Sequence, residues 1–245
     1  MKIARFILFA CLFLIQFESI SFAQAGITPT VGWVDPAMNH NRLIREQTGD
    51  GVYKLIGTFK VIGTSYLFGE RNKGNLYSAE AKAYNISISY NTYNQEVEFY
   101  SAANTDKPLI KEPGTVDSFI INENISLGIL SPLKFVYGAT IGSNDKFYFQ
   151  ELFSGKKYNL YKRYKSDLGY VSTNYIQSEL RQFDLLFDYY YTDNDGKTIK
   201  KLKSNISNII KEFKSIKDIS SVLTSDAFAL NQDGALRKAF EYLNN

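Results

Sequence analysis

YNISISYNTYNQEVEFY, residues 84–100, decides how the chain folds. Tyr84, Ile86, Ile88 and Tyr90 alternate with Asn85, Ser87 and Ser89. An Asn-rich break follows, and Val97 and Phe99 then alternate with Glu96 and Glu98. Apolar residues at every second position line one side of a strand. Two such runs around Asn91-Thr92-Tyr93-Asn94-Gln95 predict a β-hairpin with an apolar face and a wet face. Glu96 and Glu98 belong to the wet face, about 7 Å apart on one strand.

The flanking sequence extends this pattern in both directions. Residues 52–62 are rich in β-branched and aromatic side chains, with Gly57 and Gly63 as breaks. A short strand at 65–68, a polar loop at 69–74 and a strand at 76–83 lead into the hairpin. After it, a loop at 101–107 and strands at 108–111 and 116–121 are separated by the turn Glu112-Pro113-Gly114. Apolar runs follow at 125–130 and 133–137. FYFQELF (147–153) and YNLYKRY (158–164) flank Ser154-Gly155-Lys156-Lys157, a second hairpin. Residues 179–187 fit a strand or a helix, with a strand beginning near Phe183 preferred; the aromatic run 183–192 ends at Asp193-Asn194-Asp195-Gly196, before a strand at 197–202.

Beyond residue 202 the apolar period changes from two to nearly four. Ile206, Ile209, Ile210 and Phe213 share a helical face behind the cap Ser204. Asp218 is read as the cap of a second short helix through Ile219, Val222 and Leu223. Asn231 or Asp233 opens a third, with Leu236, Ala239, Phe240 and Leu243 on one side. Helices of this length are marginal alone and must pack on each other or on the sheet. The fold class expected is α+β: a mainly antiparallel β domain, sandwich or open barrel, over 51–202, followed by a helical subdomain over 203–245.

Composition bounds function. The 245 residues carry 28 Lys+Arg, 25 Asp+Glu and one His, for a formal charge of +3. That balance argues against nucleic acid as a partner, which calls for basic residues massed on one face. Met1-Lys2-Ile3-Ala4-Arg5, the apolar run 6–17 and Ala23-Gln24-Ala25 have the layout of a signal peptide spanning 1–25. The run is too short to cross a bilayer, which takes ~20 residues. Cleavage after Ala25, with Ala23 as the neighbouring option, would remove Cys11, the sole cysteine, leaving an exported chain with no disulfide and no thiolate ligand. A lead-in at 26–50 then precedes the β domain. No transmembrane helix is expected after removal of the signal, and the destination is periplasm, outer membrane surface or medium.

Five motifs stand out: Gly63-Thr64-Ser65-Tyr66-Leu67, the YNISISYNTYNQEVEF hairpin, FYFQELFSGKKYNLYKRY, the Tyr-rich run 187–191, and a Lys-rich tail closing on Tyr242-Leu243-Asn244. Together they resemble a group of small exported proteins of Bacteroidetes-type bacteria. The resemblance covers residues 57–245. It implies a fold and a compartment. The group has no assigned activity, so it implies no catalytic residue.

Candidate chemistry is sparse. Glu96 and Glu98 are paired carboxylates, a pattern that can do acid–base work or hold a metal, and as neighbours on one strand they read as solvent-face charges that oppose edge pairing. His40 lies alone in the polar lead-in. Residues 191–196 echo a Ca²⁺ loop, but Tyr191 and Leu202 fall where ligands are required, so a hairpin turn is expected. Asn85, Asn124 and Asn205 head glycosylation-type triplets that read as chance. Lys197, Lys200, Lys201, Lys203, Lys211, Lys214 and Lys217 form a basic tail that reads as a solvated face and could otherwise touch anionic lipid or polysaccharide. No phosphate loop, His-Glu metal motif or nucleophile elbow is present. The expectation is a non-enzymatic binding or structural protein of the periplasm or envelope, with no catalytic, cofactor or metal residue. Its partner would be an envelope protein, lipid or glycan. The alternative is a hydrolase of an envelope or environmental polymer acting through acidic residues such as Glu96 or Glu98.

Overall fold

A computed structural model describes residues 60–245, apart from 102–103, 112–113, 171–179 and 194–197. The signal, the lead-in, His40, Lys197 and the Asn194-Asp195-Gly196 turn lie outside the described residues. Two compact units divide the chain. The first comprises Met1–Gly63 and Tyr170–Gln182; the second, Thr64–Gly169 and Phe183–Asn245. In the first, β1 (Lys60–Ile62) pairs in parallel with the opening residues of β10 (Leu180–Thr192).

The second unit is a sheet with helices behind its last strands. Its strands are β2 (Tyr66–Tyr77), β3 (Lys82–Asn91), β4 (Glu96–Ser101), β5 (Asn104–Lys111), β6 (Ser118–Ile121), β7 (Leu133–Tyr137), β8 (Tyr148–Phe153) and β9 (Asn159–Tyr170), followed by the rest of β10 and β11 (Ile199–Lys201). The order is β10-β9-β8-β7-β6-β2-β3-β4-β5, with β11 antiparallel on β10. Among the described residues β5 pairs only with β4, so the sheet is open. The expected α+β class, a mainly antiparallel β part followed by a helical part, is what forms, and the β part is a single open sheet.

The opening hairpin forms in the register its pattern requires. Ile88 faces Phe99 and Tyr90 faces Val97. Their apolar face meets Phe119, Phe135 and Tyr148, whose rings surround Tyr90 at 5.3, 5.5 and 5.8 Å. Tyr84 departs from the pattern and is 62% exposed. Asn85 has φ +51 at a register break between Ile86 and Ala83, so the alternation slips there and Tyr84 turns outward, edge-on to Tyr77.

The predicted loop at 69–74 is instead the middle of β2. Residues 68–71 bulge opposite the single residue Ser89, and the strand resumes at Asn72. Left-handed backbone at Phe68, Gly69 and Arg71 makes the excursion, and Asn72 donates to the Gly69 carbonyl. The expected strand at 76–83 contains a tight turn, closed by Ser78 N–H to the Ala81 carbonyl. The run at 125–130 holds a 3-10 turn (Ile125–Leu127) with exposed Ile125 and Leu130. The hairpin at 147–164 forms, and β9 runs on to Tyr170, well past its predicted end.

The three helices are α1 (Ile206–Phe213), α2 (Ser225–Leu230) and α3 (Gln232–Asn244). Asn205 caps α1 in place of Ser204, accepting from Ser207 N–H. Asp218 caps only a turn, because the second helix begins later behind Thr224. Asn231 caps α3 as expected. Ile209, Phe213, Leu236, Ala239, Phe240 and Leu243 share one core with Leu152, Leu160, Tyr189 and Tyr191 of the sheet. The helices therefore close over the sheet rather than forming a core of their own.

The sheet curls far enough for its middle to touch its far strands. The hairpin turn Thr92 bonds Ser166 of β9 through side chains at 2.6 Å and through Ser166 N–H to its carbonyl. Gln95 donates to the Tyr164 carbonyl and accepts from Tyr90 OH. Tyr93 packs edge-on against Phe183 of β10.

Candidate functional site

Glu98 is the first candidate the structure moves. The solvent face expected for it is covered, and Glu98 is 0% exposed. It stands opposite buried Ser89, where the β2 bulge folds across the hairpin. Arg71 N–H donates to Ser89 Oγ, and Tyr66 OH donates to Glu98 Oε1 at 2.9 Å. The Arg71 guanidinium lies 4.4 Å from the Tyr100 ring centre. Burial, with Glu70 and Glu98 nearby, pushes the Tyr100 hydroxyl up, and Arg71 opposes the shift. Tyr66 thus supplies a hydrogen bond of the kind that a buried carboxylate requires. Glu96 points from the same strand, half-buried, and accepts from Asn94 Nδ2. Neither lines either of the two clefts described below.

A second polar feature crosses the covered face of β8 to β10. Gln150 and Lys162 are cross-strand partners, and both are buried. Lys162 Nζ reaches Asp233 at the start of α3, 3.0 Å from each carboxylate oxygen. Tyr189 OH also donates to Asp233. Rings of Phe187, Tyr164 and Tyr189 surround the ammonium at 4.2, 5.1 and 5.5 Å. Tyr164 OH donates to Gln150 Oε1. Burial, joined by the Asp233 carboxylate, pushes both the Tyr189 and the Tyr164 hydroxyls well up. Tyr164 of this belt belongs to the apolar cluster under the hairpin and Tyr189 to the one under the helices. The sequence carried a faint signal: in Leu160, Lys162 and Tyr164 one cation interrupts an alternating apolar face.

Beside this belt lies a cleft of about 590 Å³. Phe187, Asp188 and Tyr189 of β10 form one wall. Lys201, Leu202, Lys203 and Ser204 form the next, and Phe228 and Gln232 of the helical part complete it. Its volume lies in the range of small-ligand sites, roughly 300–1,000 Å³. Asp188 is bound by Arg163 at 3.0 Å and by Lys201 at 2.7 Å. Burial draws its carboxyl up, but Lys201 and Arg163 outweigh this and hold it below the usual range. Leu185, Leu186 and Phe187 are exposed along the adjoining stretch of β10.

A smaller cleft of about 470 Å³ lies at the other end of the hairpin. It is lined by the Ser78–Ala81 turn, Phe99, Lys111 and Val116, and it brings Glu80 and Asp117 to one hollow from separate segments. Neither acid stood out in the sequence.

Among the described residues no group of three His, Cys, Asp or Glu side chains could hold a metal ion. Asp193, the described part of the Ca²⁺-like loop, pairs with Lys200 across the β10–β11 turn at 3.0 Å. Of the glycosylation-type asparagines, Asn85 sits at the β3 bulge, Asn124 bonds Ser126 and Asn205 caps α1. Of the tail lysines, Lys201 and Lys203 reach the larger cleft, and Lys217 reaches the end of α3. No helix among the described residues is long and apolar enough to cross a membrane. No family model, curated protein or solved structure matches the chain.

Proposed function

We propose that the protein is an exported, non-enzymatic binding or structural module of the periplasm or cell envelope. The observation that carries this reading is the larger cleft. It is ligand-sized and rimmed by aromatic, amide and ammonium groups, and its one carboxylate is already spent on two cations. The exposed stripe Leu185-Leu186-Phe187 beside it offers further contact area. The N-terminal sequence supports export. Mass spectrometry of the protein recovered from its own cells tests that part: a chain beginning at Gly26 or Gln24 agrees, and an intact Met1 with cytoplasmic recovery contradicts it. Capture from a native envelope extract tests the binding part. A retained ligand lost on Phe228→Ala supports it, and retention indifferent to the cleft contradicts it.

One observation favours a second reading. Glu80 and Asp117 share the smaller cleft, and two acids from separate segments are what a polymer hydrolase needs. Release of new chain ends from a glycan, abolished by Glu80→Gln or Asp117→Asn in folded protein, would move the function to hydrolysis.

A further inference from the structure

The geometry points to an acidic saccharide as the ligand of the larger cleft, a sugar chain bearing carboxylate or sulfate groups; this rests on the binding reading above. Phe187, 46% exposed, and the half-buried Phe228 line the cleft, and aromatic side chains are the groups that stack on the C–H face of a pyranose. Ser204 and Gln232 add a hydroxyl and an amide, which between them donate to and accept from sugar hydroxyls. The charge selects the acidic class. Asp188 is neutralised by Arg163 and Lys201, so it does not repel an anion. Lys203 is exposed at the rim and has no ion pair among the described residues. Its flexible ammonium is suited to a carboxylate or sulfate arriving in varied poses. A lipid tail would need a continuous apolar lining, which two lysines, an aspartate, a serine and a glutamine interrupt.

Titration calorimetry of the purified protein with tetragalacturonate, cellotetraose and inorganic sulfate tests this. The acidic tetramer is expected to bind about threefold to fivefold more tightly than the neutral one, the worth of one solvent-exposed charge contact. Lys203→Glu should remove that preference while melting unchanged. Phe228→Ala should weaken the acidic tetramer, and Lys238→Glu, outside the cleft lining, should change nothing. Equal affinity for the two tetramers, no binding of the acidic one, or sulfate binding as well as the sugar would each overturn the assignment. If the acidic sugar fails while envelope capture still depends on Phe228, only the ligand class falls. If both fail, the binding reading falls with it.

Discussion

At the scale of single residues, the two acids of the hairpin part company. Glu98 is buried against Tyr66 and Ser89, and Glu96 is half in water. Tyr66→Phe removes a donor to a buried carboxylate and should cost about 2 kcal/mol in urea unfolding. Glu98→Ala should cost more, and Glu96→Gln should stay within about 0.5 kcal/mol. Equal effects of the two glutamate changes would contradict the assigned burial. Lys162 is the other residue with a large stake. Lys162→Ala leaves Asp233 and Tyr189 without their cation and should destabilise by about 3 kcal/mol. The Lys162→Met, Asp233→Leu double variant should recover much of that loss, because it removes both charges together.

Asp188 supplies a pH signature. Its folded carboxyl is held low, so the unfolded chain takes up the proton first as pH falls. Its stabilising contribution is present above the ordinary aspartate value of about 3.9 and is lost as pH falls through the lower folded value. Wild type and Asp188→Asn should therefore differ at pH 6 and converge in acid. A gap that persists to pH 2 would contradict the pairing with Lys201 and Arg163.

At the scale of elements, Asn244 joins the end of the chain to the second hairpin. Its Oδ1 accepts from Lys157 and Tyr158 N–H, and its Nδ2 donates to the Tyr158 and Phe240 carbonyls. A Cβ on Gly155 would fall 2.3 Å from the Asn244 side chain, so that glycine leaves room for the contact. Tyr242 completes the ending: Lys217 Nζ lies 3.9 Å from its ring centre and donates to its carbonyl. The Gly-Lys turn and the Tyr-x-Asn ending, which the sequence shows as separate motifs, are thus two halves of one contact. Asn244→Ala should destabilise by about 2 kcal/mol, and Gly155→Ala should act in the same direction. Thermal melts of each single variant and of the pair should show strong non-additivity.

The hairpin, its register and the faces of α1 and α3 were legible because local periodicity specifies them. The β2 bulge was not. Its polar residues 69–74 mimic a loop, and only the pairing of Asn72 with Ile88 and Lys73 with Ser87 shows the strand continuing. Glu98 was misplaced for the same reason: alternation states which face a side chain takes, and tertiary packing decides whether that face is wet. The cleft had no signature, because Phe187, Lys203 and Phe228 come together only when the helices close over β10.

At the scale of the whole molecule, stability rests on buried aromatic rings and hydroxyls. Tyr90 and Tyr148 are wholly buried, and burial pushes both hydroxyls far above their usual value. Burial also pushes Tyr161 up to about 12. Each of these groups stabilises the fold fully below the unfolded value of about 10, and that contribution is lost as pH rises through the folded values. Absorbance at 295 nm and far-ultraviolet circular dichroism should therefore change together above pH 10. Tyrosine ionisation completed in a folded protein would contradict the burial.

The claim that this molecule holds a ligand without cleaving it meets its most direct test in one measurement. Purified protein is incubated with soluble acidic glycans, and retained polymer and newly formed reducing ends are read from the same sample. Retention that depends on Phe228 and Lys203, with no new ends, is the predicted result. New ends that vanish with Glu80→Gln or Asp117→Asn would contradict it and place the function at the other end of the hairpin.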